Sequence, residues 1–475
     1  MTLLHSLRTA AAAAALAATA WTAAGAATVY VSPAGGDGNP GTARQPLRHI
    51  QAAADRAAPG DTVLVADGDY HEAVQPHSGT ANAPITFRSR HKWGARVVSP
   101  DARGAFHFYG GAQTGAVWPA GAPGYVVVDG FDLKGAGDTQ NSSGVWGQWA
   151  HHLVIQNCRL HDSALSGVAL GFVDYITVQD CVVFNNCHTS NYGGSGISLW
   201  KIRPYDRGVG LHNLIARNVV YQNAQTTSAQ HSDGDGIIID TSHLNLSALI
   251  ENNVVFANGG AGILNDGSAN VTVVNNTCYD NGADPKLHYP EIMMTKVTWE
   301  KDPAEDTPPA DCYVAANIAY ARSGHPAIQM LSTGTDTAVR GNLHCNGTGD
   351  QLGPNSHSDY QGDPLFLRPG DTPPAADFHL RAGSPAIDGS ITCPATDRNL
   401  TRRPQGKAAD IGAYERAPRD KTAPELTSSQ WPAGSARPRS PGAASPAHPA
   451  GRGTTPAAGQ RLRAIPTGNG SASAR

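Results

Sequence analysis

LVIQNCRLHD (153–162), ITVQDCVVFNN (176–186), LIARNVVYQN (214–223), LIENNVVFAN (249–258) and VTVVNNTCYDN (271–281) are variants of one phrase. Each is a short β-branched run broken by Asn or Asp. Two weaker copies follow, YVAANIAYAR (313–322) and TAVRGNLHCN (337–346). Aligned on the polar position, they give a column Asn157, Asp180, Asn218, Asn253, Asn276, Asn317 and Asn342. A second column, Asp162, Asn185, Asn223, Asn258 and Asn281, lies five residues later. Spacings in the first column are 23, 38, 35, 23, 41 and 25. A short spacing that recurs, with longer ones between, reads as one coil of a parallel β-helix with loops inserted. An amide at the same turn of each coil can hydrogen-bond to its copy in the next. Ordinary Asn turns of an antiparallel sandwich would not keep two columns at a fixed offset.

A third strand is opened by glycine in four coils: Gly167-Val168-Ala169-Leu170, Gly196-Ile197-Ser198-Leu199, Gly236-Ile237-Ile238-Ile239 and Gly262-Ile263-Leu264-Asn265. The stretch before that glycine is short in the first and last of these. In the two middle coils it is long, and loops 186–195 and 224–235 leave neighbouring coils at one corner. Insertions stacked on one face of a solenoid usually build its binding face. An open first coil needs a cap. Gln45 to Ala58 carries an amphipathic pattern with Leu47, Ile50, Ala54 and Ala57 on one side, predicting an N-terminal capping helix. The solenoid itself is expected to run over 62–400.

Only 16% of the residues are charged, too few for a coiled coil or long helical bundle. After residue 27 no apolar run reaches the roughly 18 residues of a membrane helix. Arg8, the apolar run Ala10 to Ala20 and the small residues Ala24-Gly25-Ala26 predict a secretory signal over 1–27. The mature protein is therefore expected outside the cytoplasm, extracellular or periplasmic. From Thr422 the composition falls to Pro, Ala, Gly, Ser and Arg, predicting a disordered tail over 421–475 after a 28–420 domain. Residues 416–475 carry +7, so the net charge of −4 leaves −11 on the rest. An acidic body argues against nucleic-acid binding, and against binding an acidic polysaccharide unless a metal ion bridges the two. Seven cysteines with no zinc-site spacing leave at least one free thiol.

The stretch VSPAGGDGNPGTARQPLRHIQAAADRAAPGDTVLVADGDYHE (31–72) resembles the opening of secreted bacterial right-handed parallel β-helix proteins. Among these are family 9 pectate lyases and related polysaccharide lyases. DPLF (363–366), DFHLRAGSPAIDGS (377–390) and DIGAYE (410–415) look like the closing segment of such proteins. Together with the coils, the resemblance covers roughly 30–415. It implies an all-β, single-stranded, right-handed parallel β-helix. It also implies a monomeric enzyme acting on a polysaccharide. The scaffold serves lyases, hydrolases, epimerases and surface proteins, so fold alone does not fix the chemistry.

His231-Ser232-Asp233-Gly234-Asp235-Gly236-Ile237-Ile238-Ile239-Asp240 is the densest chemical signal. Closely spaced carboxylates in a Gly-rich loop suit Ca²⁺, a hard cation. The loop is similar to the Asp-rich loop that holds catalytic calcium in family 9 pectate lyases. Trp200, Asp240 and Asp266 sit four residues after the opening glycine in successive coils. Neighbouring coils lie ~4.8 Å apart, so Asp240 and Asp266 should be close. They should lie at the boundary between inward and outward faces. Asp233, Asp235, Asp240 and Asp266 are thus the expected metal ligands. The resemblance implies a lysine or arginine base near the calcium. Asp240 occupies the place where that lysine would be sought, and Lys201 and Arg203 are the nearest cations. Trp200 is a natural sugar-stacking platform, with His231 beside the loop as a further substrate contact. The insertion Lys286 to Glu305 is expected to wall the cleft. The leading expectation is Ca²⁺-assisted β-elimination of a uronate polysaccharide such as pectate. The alternatives are a hydrolase using paired aspartates and a non-catalytic glycan-binding surface protein.

Overall fold

Each coil contributes three short strands, as in Asp174–Gln179, Val182–Phe184 and Ile197–Trp200. Each strand pairs in parallel with its counterparts one coil before and one coil after. The computed structural model describes residues 26–111, 117–136, 142–190, 193–226, 231–242, 247–296, 309–331, 336–373 and 375–417. Among these the coils stack into parallel sheets of 12, 11 and 8 strands. The fold is a right-handed parallel β-helix. The chain divides into a unit Met1–Pro418 and a unit Arg419–Arg475. The second unit, the expected tail and almost all of the expected signal lie outside the described residues. Among those residues, no helix is long and apolar enough to cross a membrane.

Alternation along each strand fills the interior. Val178, Ile215, Ile250 and Val273 line one column of the first sheet, and Ile197, Ile237 and Ile263 one column of the third, all buried. The bend between first and second strands is made by one residue in the left-handed region. Asn157, Asp180, Arg217, Asn252, Asn275 and Ala316 all have φ of 51–57° there. Asn and Asp enter this region at low cost. The next residue points inward, and it carries the hydrogen-bonded ladder.

That geometry corrects the register of both sequence columns. Asn218, Asn253, Asn276, Asn317 and Asn342 form the first ladder, each side-chain amide donating to the next at 2.9–3.0 Å. Asn157 and Asp180 lie one residue earlier, at the left-handed bend. In their coils the ladder position holds Cys158 and Cys181, whose thiols donate weakly to backbone carbonyls. The second ladder is Asn186, Asn223, Asn258 and Asn281, ending on the buried carboxylate of Glu291. Asp162 and Asn185 are again bend residues, with φ of 50° and 55°. Asn suits both adjacent positions, so the letter alone did not fix which it filled.

The expected N-terminal helix is shorter than its pattern and packs beside the strands Thr28–Val31 and Thr62–Val65. It spans Ile50–Ala54, with Leu47, Ile50, Ala54 and Ala57 all buried as expected. The Glu72 carboxylate accepts the N–H groups of Ile50 and Gln51, fixing the start of the helix. Leu47, just upstream, is held extended in a bridge to Val31. At the far end the stack stops at Ser356–His357 and Tyr360–Gln361 rather than continuing to 400. The remaining chain turns back along the outside. Phe366, Phe378, Leu380 and Ile411 pack on Phe256, Ile318 and Leu343, covering the outer face of the 11-stranded sheet. All seven cysteines are free thiols.

Candidate functional site

Several of the expected site residues lie on the outer face of the 8-stranded sheet. In Ile237–Asp240 the first and third residues point inward to the core, so Ile238 and Asp240 point outward. The fourth position therefore faces fully outward, not along a boundary. Parallel register lines it up as a row: Tyr109, Gln148, Gly171, Trp200, Asp240, Asp266 and Thr295. Asp240 and Asp266 are register partners, ~4.8 Å apart along the stack.

The long loops bring a third carboxylate to this row. The Gly234 N–H donates to Gly194 O at 2.8 Å, and Gly196 N–H to Asp235 O at 2.8 Å. His188 and Thr226 meet at 2.8 Å. Loops 186–195 and 224–235 thus stack on one another, with residues 191, 192 and 227–230 outside the described set. Gln225 accepts the N–H groups of Ser232 and Asp233, holding the Asp233 turn.

Asp233, Asp240 and Asp266 are half-buried and close enough to sense one another. Burial pushes Asp240 up to about 7. Asp266 and Asp233 add to this, while the Thr241 hydroxyl and Lys201 pull the other way. Burial likewise pushes Asp233 up to about 6. Asp235 is fully buried behind them and held well above the usual range, first by burial and then by Asp233. Its oxygens accept the Ala261 N–H at 2.6 Å and the Ser195 hydroxyl at 3.2 Å. Asp235 therefore braces the wall from behind. Among the described residues, no group of three or more His, Cys, Asp or Glu side chains is arranged to hold a metal ion.

Lys201 starts the next bend, with φ of 48° and its N–H on Asp240 O at 2.7 Å. Of the two expected cations it is the one whose charge reaches Asp240. The Arg203 guanidinium lies 5.8 Å from the Phe172 ring. Trp200 leans across the neighbouring rung. A Cβ on Gly171 would lie 2.1 Å from its indole, so only glycine admits this pose. Phe172 meets Trp200 edge-on at 5.0 Å. The Nδ1 of His231 is hydrogen-bonded to Asp284, whose side chain is nearly sealed.

Two contributors escaped the sequence reading. Thr241 donates its hydroxyl to Asp240. Tyr289 packs on Ile238, Ala261, Leu264 and Met293, and its phenol is pushed up to about 12 by burial and by Asp235, Asp233 and Asp266. Tyr289 lies in the expected wall insertion. Part of that insertion is itself a sheet strand, Ile292–Thr295, hidden because Glu291 replaces the usual opening glycine. Residues 297–305 of the insertion are outside the described set, as is His243, which follows the Asp loop.

Residues 29–199 match the family described as Pel9A-like, right handed beta helix region, and residues 126–284 the one described as Right handed beta helix region. Over 62 residues the chain is 48% identical to the uncharacterized protein YwoF of Bacillus subtilis, covering 13% of each. Over 67 residues it is 42% identical to pectate lyase PEL9 of Emericella nidulans, covering 14% of this chain and 16% of that one. The chain thus matches only about a seventh of the length of these curated relatives. The crystal structure of pectate lyase Pel9A superposes with a TM-score of 0.47 at 19% identity, over 83% of this chain and 98% of that one. The protein is a parallel β-helix resembling family 9 pectate lyases and related polysaccharide lyases.

Proposed function

We propose that the protein is a secreted polysaccharide lyase that cleaves a uronate-containing chain such as pectate by Ca²⁺-assisted β-elimination. The observation that carries this reading is Lys201 beside the outward pair Asp240–Asp266, with Trp200 on the adjacent rung. The donors are hard oxygens, as calcium requires. Asp240 and Asp266 would be its protein ligands, Asp233 would act at longer range, and water and the uronate would complete the shell. Bound calcium would polarise the uronate carboxylate and so acidify the C5 proton.

The chain's own residues supply the rest. Trp200 offers a flat apolar face for a sugar ring. Lys201, in its neutral form, would take the C5 proton. The released electron pair forms the C4=C5 double bond as the C4–O bond breaks, and the departing oxygen takes a proton from water. A second reading has its own observation. Asp240, pushed up to about 7 beside Asp266, suits the acid of a hydrolase's carboxyl pair.

The test is a panel of pectate, alginate and neutral polysaccharides, with and without chelator. Elimination leaves an unsaturated sugar absorbing in the near ultraviolet, and hydrolysis does not. Chelator-sensitive unsaturated product supports the lyase. Saturated product insensitive to chelator supports the hydrolase.

A further inference from the structure

The outward row does not end at Trp200. Toward the N-terminal end of the sheet, Gly171 and Ala169 leave a low floor. Beyond it, Phe106–Tyr109 and Val145–Gln148 present aromatic rings on the same face. Tyr109 and Trp146 stack on one another with centroids 6.0 Å apart and planes at 23°. Tyr109 is 46% exposed, the most open aromatic ring of the sheet face. Counting rungs of ~4.8 Å, Trp146 lies ~10 Å and Tyr109 ~14 Å from Trp200 along the stack. Tyr109 is ~19 Å from Asp240.

The rings lead to a cleft at the edge of the sheet. His107 is the register partner of Trp146 and lines this cleft with Gln51, Gln75, Arg103 and the carboxylates Asp37, Asp55 and Glu72. His107 is only 5% exposed, and among the described residues its Nδ1 has no hydrogen-bond partner. A buried ring nitrogen left without a partner favours a ligand that can supply one. Sugar hydroxyls donate and accept, whereas the Arg103 guanidinium beside them is already paired with Asp101 at 2.6 Å.

We propose that Trp146, Tyr109 and the His107 cleft form a distal binding track for the polysaccharide chain that occupies the acidic site. The track rests on the reading that this face takes a glycan. It deepens that reading by setting the length of chain engaged. A chain lying along the stack from Asp240 meets Trp200, then the Trp146–Tyr109 pair, then the donors and acceptors of the cleft. Only a chain several sugars long spans both ends, so the track selects polymer over fragment.

The test is calorimetric binding of polygalacturonate, alginate and xylan, then of the hexamer and dimer of whichever binds. Tyr109→Ala and Trp146→Ala are expected to weaken the hexamer at least tenfold and the dimer less than twofold. Tyr360→Ala, at an exposed ring on another sheet, is the control and should change neither. Tyr109 is exposed enough for its variant to carry the test if Trp146→Ala misfolds. Unchanged hexamer affinity in a folded variant overturns the track and leaves the proposed activity standing. Binding of xylan alone, weakened in both variants, supports the track and overturns the acidic substrate. No binding of any of the three by the wild-type protein overturns both.

Discussion

Truncating Asn253 to Ala removes four hydrogen bonds from the middle of the first ladder. The Asn253 side chain accepts the N–H and the amide of Asn218, at 2.9 and 3.0 Å. It donates to Ile215 O at 2.9 Å and to Asn276 at 2.9 Å. At about 1 kcal/mol each, these amount to about 4 kcal/mol. Asn218 and Asn276 are fully buried, so the abandoned groups have no water to turn to. That desolvation raises the expected loss to about 4–6 kcal/mol. Cys181→Ala changes the same column two coils earlier, where the thiol only reaches carbonyls at 3.2 and 3.6 Å. It should cost less than half as much. A solenoid can open locally, so two measurements are needed. One is the denaturant midpoint, and the other is hydrogen exchange at the Asn218 amide, which donates to Asn253. The variant should speed exchange at Asn218 and at neighbouring coils while amides near the N-terminal helix stay protected. Equal losses for Asn253→Ala and Cys181→Ala, or unchanged exchange at Asn218, would refute the ladder as a source of stability.

Glu291 gives a pH prediction. Burial raises it from an ordinary 4.5 to about 8, so the folded state favours its protonated form. The associated stability is full below pH 4.5 and is lost as pH rises through about 8. Glu291→Gln should remove this decline, so the gap between variant and wild type should grow from pH 6 to pH 9 in urea unfolding. A constant gap counts against a raised Glu291. Calcium should raise the melting temperature of the wild type, and Asp240→Asn together with Asp266→Asn should abolish that shift. Lys201→Ala should retain the calcium shift while losing turnover, because a base is not a ligand. Loss of the shift in Lys201→Ala would show that Lys201 only supports the loop. Gly171→Val places side-chain atoms where the Trp200 indole lies, and overpacking of this kind costs about 1–3 kcal/mol. Changed Trp200 fluorescence should accompany weaker glycan binding, and unaltered fluorescence would contradict the observed pose.

The repeating phrase was enough for the architecture, because a hydrophobic alternation and a polar bend recur wherever a coil must turn. It also set Trp200, Asp240 and Asp266 in one outward row, since they fall at matching places in neighbouring coils. Its resolution was one residue short at the bends. Asn157 and Asn218 carry the same letter, yet one adopts the left-handed bend and the other points into the core. Side-chain direction depends on φ, which the letter does not specify.

Contacts between distant segments were decided only in three dimensions. Asp284, 53 residues along the chain, pairs with His231. Ala261 and Ser195, from the coils on either side, take up Asp235. Tyr289 reaches the carboxylates from a coil whose strand lacks the expected glycine. The residue types of the site followed from local sequence, because parallel register stacks matching positions. Which of them stay open to a ligand followed from packing, because burial and partners come from chain far away.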